Sequence, residues 1–334
     1  MRMRGEAWPE ADALFHSDPR WLGSDDAYSV PLGGDRTLWL FGDTFVGDGV
    51  SADRARAHFV RSSIGVMSGA DPSSASITFA WGSSPGEPFF DAPAPAWLWP
   101  LHGARVGSGL LLFFMLVRPS VPGGSGDIED WRAHGPLGFF EVFGWTAVRV
   151  ENPDDEPARW RWEHVAPIAP SRIVLGAGVL REGDHLFLYG WDQAKRVYVA
   201  RWPVESAVFD HLEWWCGDGW RSDGTPAPIV SDGHTEFTVH RMSADAFCLT
   251  SFVGLSPGSL ALRTAPAPEG PWSEPAHAFT PTIRDGAFAY AGKAHPQLRG
   301  ADLVATYASI GDADVTLAHH DLYYPRFIRL RSEA

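Results

Sequence analysis

Apolar positions in this chain come in short bursts separated by turns, with almost no helical periodicity. Five bursts stand out: Arg36–Phe41 (RTLWLF), Gly109–Val117 (GLLLFFMLV), His185–Tyr189 (HLFLY), Ala246–Phe252 (AFCLTSF) and Asp302–Tyr307 (DLVATY). Each follows a turn signal such as Gly33-Gly34-Asp35 or Glu182-Gly183-Asp184, and an extended segment precedes each turn. The recurring unit is a hairpin: an entering strand, a turn, then a hydrophobic strand. With Asp25, His102, Gly178, Glu236 and His295 as markers of the entering segments, the spacings are 77, 76, 58 and 59 residues, and the two chain ends together make up 64 more.

Further strand signals follow the hairpins at Glu141 to Val150, Val197 to Trp202 and Leu260 to Thr264, each leading into a Trp- or Pro-rich loop. Five such units are best satisfied by a ring of small sheets around a central channel, which leaves no long sheet edge open. The expected fold is therefore all-β, a five-bladed β-propeller forming one domain over residues 1–334. The tail Tyr323–Leu330 reads as a last strand that pairs with amino-terminal material and closes the ring. A two-domain β-sandwich is the alternative, since the hairpin pattern alone fits both.

Composition narrows the function. Twenty-seven Lys and Arg against 41 Asp and Glu give a formal charge of −14, which disfavours nucleic acid and anionic lipid as partners. The longest apolar run, Leu110 to Val117, is far shorter than a spanning helix and reads as a buried strand. Only Cys216 and Cys248 are present, so stability has to come from packing. The amino terminus lacks an apolar run, so the sequence as given reads as cytoplasmic, with secretion left open, and the protein is expected to be a monomer.

In a propeller the entering strands line the channel, and polar residues at their starts converge on one cavity. That cavity is expected to receive Asp25 or Asp26, His102, Glu236 and His295, with Asp43 close by. Strand alternation puts Asp25 and Asp26 on opposite faces, and Asp25 is taken as the one facing in. Carboxylates on one pocket wall push each other's pKa values apart, yielding one acid and one base, the pair that glycoside hydrolysis needs. Abundant aromatic residues fit sugar faces, and Trp81, Trp99, Trp131 and Trp191 lie in or beside loops where they could stack on a substrate.

No zinc-type His spacing occurs, and Ser29, Ser62 and Ser63 lack a nucleophile-elbow context. No cofactor is expected. His295 could reach a structural calcium, but a hydrogen bond to substrate is preferred for it. Two rivals are a non-catalytic carbohydrate- or protein-binding propeller and a metal-dependent enzyme built on His102, His234 and His295.

The segment Gly23-Ser-Asp-Asp-Ala-Tyr-Ser-Val-Pro-Leu32, followed by Asp35-Arg-Thr-Leu-Trp-Leu-Phe-Gly-Asp-Thr-Phe-Val-Gly47, resembles domain-of-unknown-function family 4185, part of which is glycoside hydrolase family 183. His234–Val239 and Ala294–Leu298 agree more loosely. The resemblance implies a five-bladed propeller distantly related to glycoside hydrolase family 43, with endo-acting cleavage of D-arabinan as the activity. It also implies Asp25 and Asp43 as the catalytic carboxylates, although the family pattern has Gly where this chain has Asp26. Fold-level analogy with family 43 would give Glu236 the general-acid role. The expected site is thus Asp25, Asp43 and Glu236 for catalysis, and Asp26, His102, His295, Trp99 and Trp191 for an oligo- or polysaccharide substrate.

Overall fold

The computed structural model describes residues 2–204, 209–254 and 258–333. Five antiparallel sheets follow one another along the chain. The first comprises Tyr28–Gly33, Arg36–Phe41, Ser63–Ser68 and Ser76–Ala80. The second comprises Trp97–Val106, Gly109–Pro119, Phe140–Val150 and Trp162–His164, with Ala169–Pro170 beside its third strand. The third comprises Ile173–Glu182, His185–Asp192, Val197–Pro203, Glu213–Trp215 and Trp220–Arg221. The fourth is Phe237–Ser243, Ala246–Val253, Ser259–Ala265 and Ala276–Phe279. The fifth is Ala287–Ala294, Leu303–Gly311, Arg326–Ser332 and, from the other end of the chain, Met3–Ala7.

This is a five-bladed propeller, as the hairpin spacing predicts. The first four sheets are meanders, and the fifth is a three-strand meander completed by the amino-terminal strand; no blade can bury both faces alone, and each does so against its neighbours. The five hydrophobic strands are the second strands of the blades. Residues Leu110 to Val117 are all buried, because that strand sits between two others in its blade and is covered on both faces. Arg326–Ser332 pairs with Met3–Ala7 in a continuous register from Met3↔Ser332 to Ala7↔Ile328, so the ring is closed by the two ends of the chain.

Polar side chains join the inner strands of neighbouring blades. His102 Nε2 lies 3.2 Å from the Ser29 carbonyl oxygen, and its Nδ1 accepts from the Val179 N–H at 3.1 Å, linking blades one, two and three. Arg241 and Glu182 form a 2.6 Å ion pair between blades three and four. The Ala294 N–H donates to Thr238 Oγ1 at 2.8 Å between blades four and five. His295 Nδ1 lies 2.6 Å from Ser29 Oγ, joining blade five to blade one.

One small sheet departs from the blade pattern and positions the site. Trp21–Ser24, Thr44–Val46 and His58–Val60 pair antiparallel, with Trp21 opposite Val46 and Ser24 opposite Thr44. Asp25 follows the first of these strands and Asp43 precedes the second, so the pairing brings them together at one end of the sheet. Thr44 Oγ1 donates to the Gly42 carbonyl at 2.9 Å and Ser24 Oγ to the Asp43 carbonyl at 2.8 Å, fixing the turn that carries Asp43.

Candidate active site

A cavity of about 660 Å³ is lined by Asp25, Asp26, Asp43 and Glu236, and also by Trp99 and Trp191. Six of the eight residues singled out in the sequence therefore meet at one cavity, from blades one to four. Blade five adds Tyr290, and the segment before its third strand adds Tyr323.

Asp25 and Asp26 both face this cavity, contrary to the alternation argument. That argument requires extended backbone, and the chain is not extended here. The Ala27 N–H donates to the Asp25 carbonyl at 2.8 Å across a three-residue turn, with Asp26 at φ +61° and Ala27 at φ +54°. Two consecutive non-glycine residues in the left-handed region mark strain held by the surroundings. The turn presses both carboxylates toward Gly42. A Cβ on Gly42 would lie 2.5 Å from Asp25 Oδ1 and 2.6 Å from Asp26 Oδ2, which is why the Leu-Phe-Gly-Asp stretch needs glycine at that position.

The four carboxyl groups divide into two classes. Burial raises the pKa of Asp25 to about 8, helped by the nearby Asp43 charge and opposed by a 2.6 Å hydrogen bond from the Tyr290 hydroxyl. Burial, with Glu236 and Asp25 as like-charged neighbours, pushes Asp26 well above the usual carboxylate range. Burial works to raise Glu236 as well, but the buried Lys293 ammonium, 2.6 Å from Glu236 Oε1, and a hydrogen bond from Asp26 leave its pKa lowered. Asp26 is thus the protonated member of its pair and Glu236 the ionised one. Asp43 is raised by burial, against the pull of Arg61 at 3.2 Å and the Trp99 indole N–H at 2.8 Å. Arg61 is itself fixed by the Gly126 carbonyl at 2.7 Å and lies 4.3 Å over the Trp97 ring.

His102 and His295 do not line the cavity. Both are interblade staples: His295 is fully buried between Ser29 and Thr306, whose Oγ1 is 2.8 Å from His295 Nε2, and burial lowers the pKa of both rings. The substrate contact assigned to each is accordingly replaced by a structural one. The metal alternative loses its geometry too, since His234 lines the cavity while His102 and His295 are engaged elsewhere. Among the described residues no group of three His, Cys, Asp or Glu is placed to hold a metal ion.

The tryptophans also depart from expectation. Trp191 and Trp131 line the cavity but are each only 1% exposed, so neither offers an open stacking face. Lys195 covers Trp191, its ammonium 4.7 Å from the ring centroid. Trp99 spends its N–H on Asp43, and Trp81 lies against Arg20 away from the cavity. The apolar wall is instead supplied largely by blade two and its insertion, through Met115, Leu137, Phe139 and Phe140. The short helix Ile128–His134 carries Trp131 into this wall, capped by Asp127, which accepts from the Glu129 and Asp130 N–H groups.

Lys293, Tyr290 and Tyr323 escaped sequence reading. Lys293 leaves a trace: a lone charge in the small-residue strand Ala287–Ala294. Its inward aim comes from a bulge between Tyr290 and Lys293, with Ala291 at φ +56°. The tyrosines carry no local signal that separates them from core residues.

Four carboxyl groups gathered in one cavity of a five-bladed propeller define the arrangement. The chain belongs to the family described as a domain of unknown function (DUF5005), whose model matches residues 10–332. No curated protein matches the sequence. Among solved structures, a putative hydrolase from Bacteroides ovatus ATCC 8483 superposes with a TM-score of 0.74 at 15% identity, covering 98% of this chain and 90% of that one. The catalytic domain of the Coprinopsis cinerea family GH62 α-L-arabinofuranosidase gives 0.52 at 12% identity, covering 98% and 96%. The family GH43_1 enzyme from Xanthomonas citri, complexed with xylotriose, gives 0.52 at 15% identity, covering 97% and 94%. At these identities the likeness establishes the shared fold alone; the family that matches is DUF5005, in place of the family 4185 and glycoside hydrolase family 183 that the first-blade motif resembles.

Proposed function

We propose that this protein is a glycoside hydrolase in which Asp25 donates the proton to the leaving oxygen and Asp43 is the ionised carboxylate that attacks the anomeric carbon or activates water. One observation carries the reading: Asp25, pushed up to about 8 and therefore neutral near pH 7, stands in the same cavity as Asp43, whose own rise through burial is opposed by Arg61 and the Trp99 indole. The role considered for Glu236 changes accordingly. A carboxylate kept ionised by a buried ammonium is a poor proton donor, so Glu236 serves to keep Asp26 protonated and to orient substrate. No cofactor enters the scheme.

Furanosides, arabinan foremost, are the substrate class to test first, on the strength of the Leu38–Phe45 motif and its resemblance to families 4185 and 183. The structural likeness to an arabinofuranosidase supports the same choice. Hydrolysis of a panel of furanose and pyranose polysaccharides is the test. Asp43→Asn is expected to cut turnover by about a thousandfold while moving the thermal transition only a few degrees, because Asn still accepts from Trp99 and Arg61 keeps the Gly126 carbonyl. The wild-type rate should fall as pH rises through about 8, when Asp25 loses its proton. The pairing of Asp43 with Arg61 also suits a purely structural aspartate in a sugar-binding propeller; a large loss of stability in Asp43→Asn with no hydrolysis by the wild type would select that reading.

A further inference from the structure

The acids of the cavity are neutralised one by one, and one cation is left over. Asp25 and Asp26 favour their neutral forms, Asp43 is paired with Arg61, Glu236 with Lys293, and Glu141 at the mouth with Arg118. Lys195 also lines the cavity, and among the described residues its ammonium makes no ion pair; it rests on the face of Trp191. The opposite charges that act on it, Glu236 and Asp192, are already paired with Lys293 and Arg196.

The lysine is held in place by built structure. It occupies the hairpin turn between His185–Asp192 and Val197–Pro203 with φ +62°, a conformation unusual for its type. The 3%-exposed Asp192 clamps that turn. Its Oδ1 accepts from the Ala194 N–H at 3.0 Å and the Arg196 N–H at 3.1 Å, and its Oδ2 from the Arg196 guanidinium at 2.5 Å and the Tyr198 hydroxyl at 3.0 Å. The turn is then sewn to the next blade, for the Gly233 N–H donates to the Lys195 carbonyl at 2.9 Å, and Gly233 precedes His234, another lining residue. A Cβ on Gly233 would lie 2.3 Å from Val197 Cγ2, so this close approach requires glycine. Trp131 and Trp191, two further lining residues, keep their indole N–H groups buried and without a protein acceptor.

We propose that Lys195, with His234 beside it, forms an anion subsite that receives the carboxylate of an acidic sugar, a uronate unit of the substrate or of its branches. The proposal rests on the glycoside-hydrolase reading for the word substrate, and for the carboxylate on the placement of Lys195 beside His234 in the cavity wall without an ion-pair partner. A singly charged carboxylate matches the single spare cation. A phosphate dianion would add a second negative charge within reach of Asp43 and Glu236.

The test is binding of D-glucuronate and D-galacturonate to the full chain, against D-glucose and D-galactose, at fixed ionic strength by calorimetry. Each uronate is expected to bind about tenfold more tightly than its neutral counterpart. In Lys195→Gln that ratio should fall to near unity, and Lys195→Arg should keep most of it. Lys195→Asn, whose residue type tolerates the left-handed conformation, guards against a turn that fails to form in the glutamine variant. Equal affinity for acid and neutral sugars, absence of uronate binding, or a preference that survives both neutral substitutions would overturn the proposal. Tighter binding of glucose 6-phosphate than of glucuronate would overturn the carboxylate assignment. Setting the wild-type titration beside the wild-type hydrolysis panel separates the two readings. Uronate binding without any hydrolysis leaves the subsite standing and removes the enzyme, whereas hydrolysis of neutral polysaccharides without uronate preference does the reverse.

Discussion

Asp25 is the residue on which environment acts most clearly. Its ordinary value of 3.8 becomes about 8 because the left-handed turn at Asp26 buries it against Gly42 and next to Asp43. Since the folded-state value lies above the unfolded one, the stability it contributes is fully present below about pH 4 and is lost as pH rises through about 8. Asn has the shape of a neutral aspartic acid and does not ionise. Asp25→Asn should therefore inactivate the proposed enzyme yet unfold at a higher temperature than wild type at pH 8, by a few degrees, with the difference vanishing near pH 4. A parallel fall of both proteins with pH in calorimetric melts would show that Asp25 is not the group responsible. Asp25 and Asp43 were legible as candidates because charged residues abut apolar strands. The partnership of Asp26 with Glu236 was not legible, since it depends on a backbone turn that strand alternation excludes.

Individual elements decide how closely the acids approach. The three-strand sheet of Trp21–Ser24, Thr44–Val46 and His58–Val60 sets Asp25 beside Asp43, and Gly42 lets the Asp25–Asp26 turn close over it. Gly42→Ala should force both carboxylates aside. Turnover should drop at least about tenfold and the melting temperature by several degrees; wild-type values for both would mean that the carboxylates have room to move. Bulges act in the same way on inner strands. The register shifts at Leu175/Gly178 and Tyr290/Lys293 break the alternation, and the second turns Lys293 toward Glu236. Sequence patterning located these strands to within a few residues but could not locate the bulges, which leave no mark in the alternation of residue types.

The whole molecule is a ring, and its closure is an interaction between chain ends. Met3–Ala7 covers the edge of Arg326–Ser332, and without it that strand would present unpaired backbone groups. Deleting residues 2–7 should lower the melting temperature by several degrees and produce concentration-dependent association visible by light scattering; an unchanged, monomeric protein would refute the role assigned to this strand. The ring also explains the fate of the histidines. His102 and His295 sit on inner strands as the sequence implies, but neighbouring blades come so close that each ring bridges two strands before it can reach the cavity.

Taken by itself, the sequence determined the repeat, the strand order and the set of acids. Those follow from local alternation and from spacing, which survive in one dimension. The tertiary structure alone decided which acids are neutral, which are paired and which cation is spare. Burial and charge proximity set ionisation, and both depend on distances between blades that no stretch of chain contains.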